Sequence, residues 1–324
     1  MGNILITSAG RRASLVKSFK EEAKKISPES KIFTAEANPE WSSACRVSDG
    51  FFRLPRITDD NYIDSLLKNC LQKNISLIVP TIDTELSILA ESKTLFKNRN
   101  IDIVISDTEF IAFCRDKRNT NVLFEKLDIR IPAIIDRDRP SFPLFVKPYD
   151  GSLSQGIQLL VSQDELTESI KNNPKLMFME YIDPVKFDEY TIDAYYDKNN
   201  HLKCLVPRRR VEVRGGEISK GRTERGWFYH VLCDKIKYMK GAVGCITFQF
   251  FIGKHEEELI GIEINPRFGG GYPLSYAAGA NYPGFLIREY ILHQEVKFSD
   301  EWVSDRVMLR YDAEIILDQN DFIN

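Results

Sequence analysis

Over the first 107 residues, short apolar runs alternate with amphipathic stretches of helical period. Strands are expected over 3–7, 31–36, 76–80 and 102–106, and helices over 12–25, 60–73 and 84–97. When a helix of this length follows each strand, the chain returns in the same direction. The expected product is a parallel sheet with helices on both faces. Such sheets bind ligands at the carboxyl edge of their strands. Asp83 and Glu85 follow the strand ending at Pro80; Glu85 reads as a helix cap and Asp83 as a candidate for meeting a substrate. The first strand-to-helix turn, Thr7-Ser-Ala-Gly-Arg-Arg12, is a place for an anion, although Gly10 itself reads first as a structural turn. Without Gly-x-Gly-x-x-Gly, a dinucleotide site is poorly supported.

After Asp107 the pattern changes. A short helix is expected over 108–127, carrying Asp116-Lys117, and an apolar strand over 142–147 ends in Lys147-Pro148. Lys147 reads equally as a strand-end surface lysine or a phosphate ligand. The small polar stretch Tyr149-Asp-Gly-Ser-Leu-Ser-Gln-Gly156 precedes a strand over 157–161, which together read as a hairpin flap whose amides can wrap a polyphosphate. Gly151 and Gly156 have P-loop spacing, but no Lys-Ser/Thr follows, so that motif is rejected. Another apolar strand, over 177–182, contains Glu180. A carboxylate there needs a partner: an adenine amino group, a ribose hydroxyl, or an internal Arg or Lys would each serve. A further strand is expected over 189–195. The charge run over 207–224, interrupted by Gly215-Gly216, fits a solvated face or a loop lining an anionic site.

The segment 242–252 reads as a strand, the polar stretch 253–258 as a turn, and 260–264 as the returning strand of a hairpin. Alternate residues of a strand share a face, so Glu263, Asn265 and Arg267 emerge together and the hairpin can bring Gln249 beside Glu263. A lone Glu-x-Asn is more often a solvated face. Here it is flanked by Leu259-Ile260 and by Pro266-Arg-Phe-Gly-Gly-Gly271, which points to a buried strand ending at a glycine-permitted backbone approach. Hard oxygen ligands of this kind suit Mg²⁺, and an adjacent arginine suits a phosphoryl group in transit.

Bulk properties narrow the field. At 324 residues and 43% hydrophobic, the chain can bury a large core and hold two or three domains. A formal net charge of −3 points neither to nucleic acid nor to a membrane surface, and no run approaches a membrane span. The N-terminus reads as a strand rather than a signal peptide. Six cysteines lie far apart with no Cys-x-x-Cys pair, which argues against zinc and for a reduced, cytoplasmic chain.

With these residues together, the chain resembles the ATP-grasp superfamily, and within it one synthetase half of the carbamoyl phosphate synthetase large subunit. The resemblance covers essentially the whole chain. It implies an α/β fold: a Rossmann-like pre-ATP-grasp domain over 1–107, a small grasp subdomain with its glycine-rich flap over 108–182, and a C-terminal grasp subdomain with the metal site over 183–324. Carried over residue by residue, it makes Lys117 and Lys147 phosphate ligands and places Gly151, Ser152 and Gly156 in the flap. Glu180, Tyr181 and Ile182 become the adenine-binding hinge and Glu189 the ribose carboxylate. Gln249, Glu263 and Asn265 become the magnesium ligands, and Arg267 the arginine that steadies the transferred phosphoryl group. The segment 208–222 departs from the family's bicarbonate-site segment, and only one grasp unit is present.

The resulting expectation is an ATP- and Mg²⁺-dependent carboxylate–amine ligase acting through an acyl phosphate on a small-molecule carboxylate and amine. Asp83, Arg208, Arg210 and Arg214 are the expected substrate contacts. A homodimer agrees with the family's habit. The alternatives are a kinase of carbamoyl phosphate synthetase type that releases its acyl or carbamoyl phosphate, and a non-catalytic ATP-binding sensor.

Overall fold

The computed structural model describes residues 2–150 and 156–319. Its first sheet contains β1 (Asn3–Thr7), β2 (Ile32–Glu36), β3 (Gly50–Arg53), β4 (Ile75–Pro80) and β5 (Asp102–Ile103), in the order β3-β2-β1-β4-β5 with every pair parallel. Strand order reverses between β1 and β4, so their carboxyl ends open the crevice where such sheets bind ligands. Glu85, fully buried there, accepts from Thr7 Oγ1 and Ser8 Oγ at 3.0 Å and from the Thr81 amide at 2.9 Å. The expected helix cap therefore also ties β1 to β4, and burial pushes its carboxyl pKa up.

Three antiparallel strands follow, β6 (Leu144–Pro148), β7 (Gln158–Leu160) and β8 (Leu176–Glu180), ordered β7-β6-β8. The last sheet is fully antiparallel: β9 (Phe187–Tyr196), β10 (Leu202–Arg214), β11 (Glu217–Thr223), β12 (Gly244–Gly253), β13 (Leu259–Asn265) and β14 (Val307–Leu309), ordered β13-β12-β9-β10-β11-β14.

Several local expectations change. The helix expected over 108–127 is two, Thr108–Arg115 and Lys117–Lys126, because the Asp116 carboxylate accepts from the Arg118 amide at 2.9 Å and caps the second. The helix over 84–97 likewise breaks, into Asp83–Glu91 and Lys93–Lys97. The charge run over 207–224 is the β10–β11 hairpin rather than a loop: residues 211–215 are exposed, while Arg208, Arg210 and Glu217 line the cavity. Its turn residues Gly215 and Gly216 have φ of 59° and 78°, the left-handed pair that a tight hairpin needs.

The helix Lys117–Lys126 is seated against β13 by one missing side chain: a Cβ on Gly261 would lie 2.6 Å from the Phe124 ring. The fully buried Phe124 ring therefore rests on backbone, and the Gly261 amide donates to the Arg130 carbonyl at 2.8 Å. Between the two central strands of the sheet lies a buried ion pair. Arg208 of β10 donates to Asp193 of β9 through Nε at 2.7 Å and Nη2 at 3.0 Å, with the two residues 1% and 0% exposed. Ser275 Oγ, at 2.6 Å, and Thr247 Oγ1, at 3.4 Å, complete the Asp193 shell.

Removing one partner of such a pair leaves a buried charge uncompensated, at about 3–5 kcal/mol. Asp193→Ala is expected to lower unfolding free energy by that amount in urea titration. The double variant Asp193→Leu with Arg208→Met is expected to recover most of the loss.

Candidate active site

The three sheets enclose a cavity of about 840 Å³. On its floor β12 pairs with β13 in the register Gln249↔Glu263, so the expected hairpin and its facing residues coincide. Gln249 Nε2 donates to Glu263 Oε1 at 2.6 Å and Asn265 Nδ2 donates to the same oxygen at 2.9 Å. Both amides thus point at one carboxylate oxygen, and a half-turn of either would present its own oxygen instead. One carboxylate and two amide oxygens fit Mg²⁺, which takes one or two carboxylates and completes its octahedron with phosphate oxygens and water. Among the described residues no group of three or more His, Cys, Asp or Glu gathers elsewhere to hold a metal.

Cations surround this floor. Lys117 Nζ stands 3.9 Å from Glu263 Oε2. Lys147 is 6% exposed on β6, and burial, with the nearby Lys117 charge, lowers its pKa to about 8 against the pull of Glu263. A buried lysine with a depressed pKa is a prepared seat for an anion. Arg210 Nη1 donates to Gln249 Oε1 at 3.3 Å and lies 3.1 Å from Glu189 Oε1. Burial raises the Glu189 pKa, which Arg210 opposes and Glu263 reinforces.

Arg267 leaves the end of β13 and turns to the first sheet, where its Nε and Nη2 donate to Asp83 Oδ2 at 2.9 and 2.6 Å. The sequence treats these two as separate contacts; the structure pairs them across sheets. Gly270 and Gly271 follow, and Cβ atoms on them would lie 2.8 Å from the Glu217 carboxylate and 2.1 Å from Arg208 Nη1. Glycine lets the backbone lie directly on these charged groups.

Other expected contacts are placed differently. The Glu180 carboxylate is taken by Arg130 Nη2 at 2.7 Å and the Ala133 amide at 3.0 Å, so the internal-arginine alternative is the one realised. Tyr181 and Ile182 line the cavity beside Met179, Phe145 and Phe251, an apolar slot suited to a flat ring. Two of the three arginines expected to grip a carboxylate are corrected: Arg208 is engaged by Asp193, and Arg214, its side chain 72% exposed, pairs with Asp312 outside the cavity wall. Gly151 and Ser152 lie outside the described residues, and Gly156 is exposed with φ 71°. Arg12 and Glu217 line the cavity without having been singled out, although Arg12 sits in the turn that was.

Residues 4–104 match the family model described as a PylC-like N-terminal domain, and residues 172–310 match the one described as ATP-grasp in the biosynthetic pathway with Ter operon. The matched segment 172–310 is an ATP-grasp region. It is 26% identical over 198 residues to the carbamoyl phosphate synthase large chain of Clostridium botulinum, covering 53% of this chain and 18% of that one. It therefore spans less than a fifth of that relative's length. Among solved structures, the biotin carboxylase domain of the Hydrogenobacter thermophilus 2-oxoglutarate carboxylase, in complex with MgADP, ADP and bicarbonate, superposes with a TM-score of 0.69 at 13% identity, over 95% of this chain and 73% of that one. The L-amino acid ligase of Bacillus licheniformis superposes with a TM-score of 0.63 at 15% identity, over 90% and 74%. Among the described residues no helix is long and apolar enough to cross a membrane.

The depressed Lys147 pKa has a signed consequence for this ATP-grasp cavity. Lys147 is charged below about pH 8 and neutral above it, whereas an unfolded lysine keeps its proton to 10.5. Stability of the free protein should therefore rise between these two values, while affinity for a polyphosphate falls. Calorimetric ADP titrations are expected to weaken by up to about tenfold per pH unit above pH 8, and Lys147→Arg should flatten that profile.

Proposed function

We propose that the chain is an ATP-dependent carboxylate–amine ligase that works through an acyl phosphate and releases ADP and phosphate. The observation that carries the reading is the convergence of Gln249, Glu263 and Asn265 on one point of a cavity also lined by Lys117, Lys147 and Arg267. The likeness to an L-amino acid ligase and to an MgADP-bound carboxylase domain supports it.

In this reading Glu263, Gln249 and Asn265 are the residues that would hold Mg²⁺. When bound, the ion neutralises the β- and γ-phosphates. Lys117 and Lys147 orient the triphosphate. The adenine lies in the slot beside Tyr181 and Ile182, and Glu189, its pKa raised by burial, meets the ribose. A substrate carboxylate attacks the γ-phosphorus, and Arg267 leans its guanidinium fork on the phosphoryl oxygens as charge shifts onto ADP. Asp83 holds that fork in place from the first sheet. An amine then attacks the acyl carbon and expels phosphate. Acyl phosphates hydrolyse readily, so the residues around the cavity must exclude water while the amine arrives. No protein nucleophile is required.

Glu263→Gln removes the only carboxylate of the Gln249–Glu263–Asn265 group and is expected to lower ADP release by at least about a hundredfold while the unfolding midpoint stays near that of the wild type. Undiminished turnover would sink the metal assignment. ADP release that needs both a carboxylate and an amine supports the ligase. Release with a carboxylate or bicarbonate alone would favour the kinase reading suggested by the carbamoyl phosphate synthase relative. Arg267→Lys should lower kcat more than ATP affinity, because fork geometry matters most in the transition state.

A further inference from the structure

We propose that Arg12, in the turn after β1, is the anchor for the substrate carboxylate, which lies between Arg12 and Arg267 at the inner end of the cavity. The inference rests on the ligase reading and names the group that holds its acyl substrate. Of the arginines suggested by sequence for this part, Arg208 is paired with Asp193, Arg214 with Asp312, and Arg210 with Glu189.

Arg12 follows β1 at the reversal of strand order and lines the same cavity as Arg267, Gly269 and Gly271. Its Nη1 donates to the Phe268 carbonyl at 3.0 Å, which fixes the guanidinium against the glycine-rich loop. Its other donors form no hydrogen bond, and it forms no ion pair, among the described residues. A purely structural strut between the first sheet and this loop would account for that one bond. It would leave the charge unanswered.

The charge count is specific. Arg12, Arg208, Arg267 and Arg310 bring four guanidiniums to this end, against three carboxylates that are already paired: Asp193 with Arg208 at 2.7 Å, Asp83 with Arg267 at 2.6 Å, and Glu217 with Arg310 at 2.7 Å. One positive charge, that of Arg12, is left over. Burial, and then the neighbouring Arg267 charge, bring its pKa down to about 10, against the weaker pull of Glu217 and Asp83. A desolvated cation next to another cation is relieved by an incoming anion. A surplus of one charge matches a carboxylate; a phosphate group carries closer to two. A second unanswered donor sits at the same end: Arg208 Nη1 is buried and has no partner.

The chemistry requires such a cation. A carboxylate approaching the γ-phosphorus brings negative charge toward a polyanion, and the repulsion must be offset before the atoms can meet. A guanidinium fixed at Phe268 and open to the cavity offers a fork that both neutralises and aligns the attacking group.

The test is calorimetric titration of the wild type, Arg12→Gln and Arg12→Lys with acetate, succinate, L-aspartate, L-glutamate and inorganic phosphate, each in the presence of ADP and Mg²⁺. ADP affinity is measured in parallel. At least one carboxylate is expected to bind the wild type, to bind Arg12→Gln about tenfold more weakly or worse, and to recover part of that loss in Arg12→Lys. ADP affinity is expected to be equal in all three, which also shows that the variants are folded. Equal carboxylate binding by Arg12→Gln, binding of phosphate but of no carboxylate, or no binding at all by the wild type would each overturn the assignment. Failure of the wild type to bind ADP would instead strike the ligase reading, leaving Arg12-dependent carboxylate binding as a separate fact.

Discussion

The Arg208–Asp193 pair is the fixed point around which the working face of the last sheet is arranged. Its two hydrogen bonds cross from β10 to β9, and Ser275 and Thr247 bring in the helix Tyr272–Ala278 and β12. Because both charges are out of water, the geometry cannot relax without a large penalty. The glycine loop lies directly on the Arg208 guanidinium, so the pair also determines how closely that loop approaches the cavity. A buried arginine whose partner is this well placed is a rigid part of the scaffold.

The cavity draws on all three sheets, and each contributes what its architecture supplies best. The antiparallel hairpin β12–β13 offers register, and register brings Gln249 to Glu263. The small sheet offers burial, and burial depresses Lys147. The parallel sheet offers the open carboxyl edge between β1 and β4, from which Arg12 and Asp83 reach the glycine loop and Arg267. Charge balance is local at several of these cations: Lys117, Arg208, Arg210 and Arg267 each have a carboxylate in reach.

Much of this is legible in the amino-acid sequence where a feature is periodic and local. The strand–helix alternation yields the parallel sheet, and the two-residue period on either side of a polar turn places Gln249 opposite Glu263. What escapes is what depends on pairing between distant segments. The run around Arg208 to Glu224 has the composition of a loop, but its side chains alternate along two long strands, and only the β9–β10 register shows that Arg208 meets Asp193. Glu180 plainly needs a partner; Arg130, fifty residues away, could not be named from the pattern. The break at Asp116 is a capping event inside an otherwise continuous helical period, where one side chain overrides the average. Arg12 was hidden for a different reason: a turn motif draws attention to its glycine and backbone amides, and its value here lies in a side chain that reaches a loop 256 residues further along.

One small absence has a wider consequence. Because Gly261 has no side chain, the Phe124 ring rests on the backbone of β13 and the helix beginning at Lys117 lies close against the sheet. The separation between Lys117 and Glu263 is therefore a matter of thickness, set by a single layer of aromatic carbon between helix and strand. A methyl group at position 261 would act as a shim: it would leave every charged residue of the cavity in place in the sequence and yet widen the gap across which those charges must cooperate.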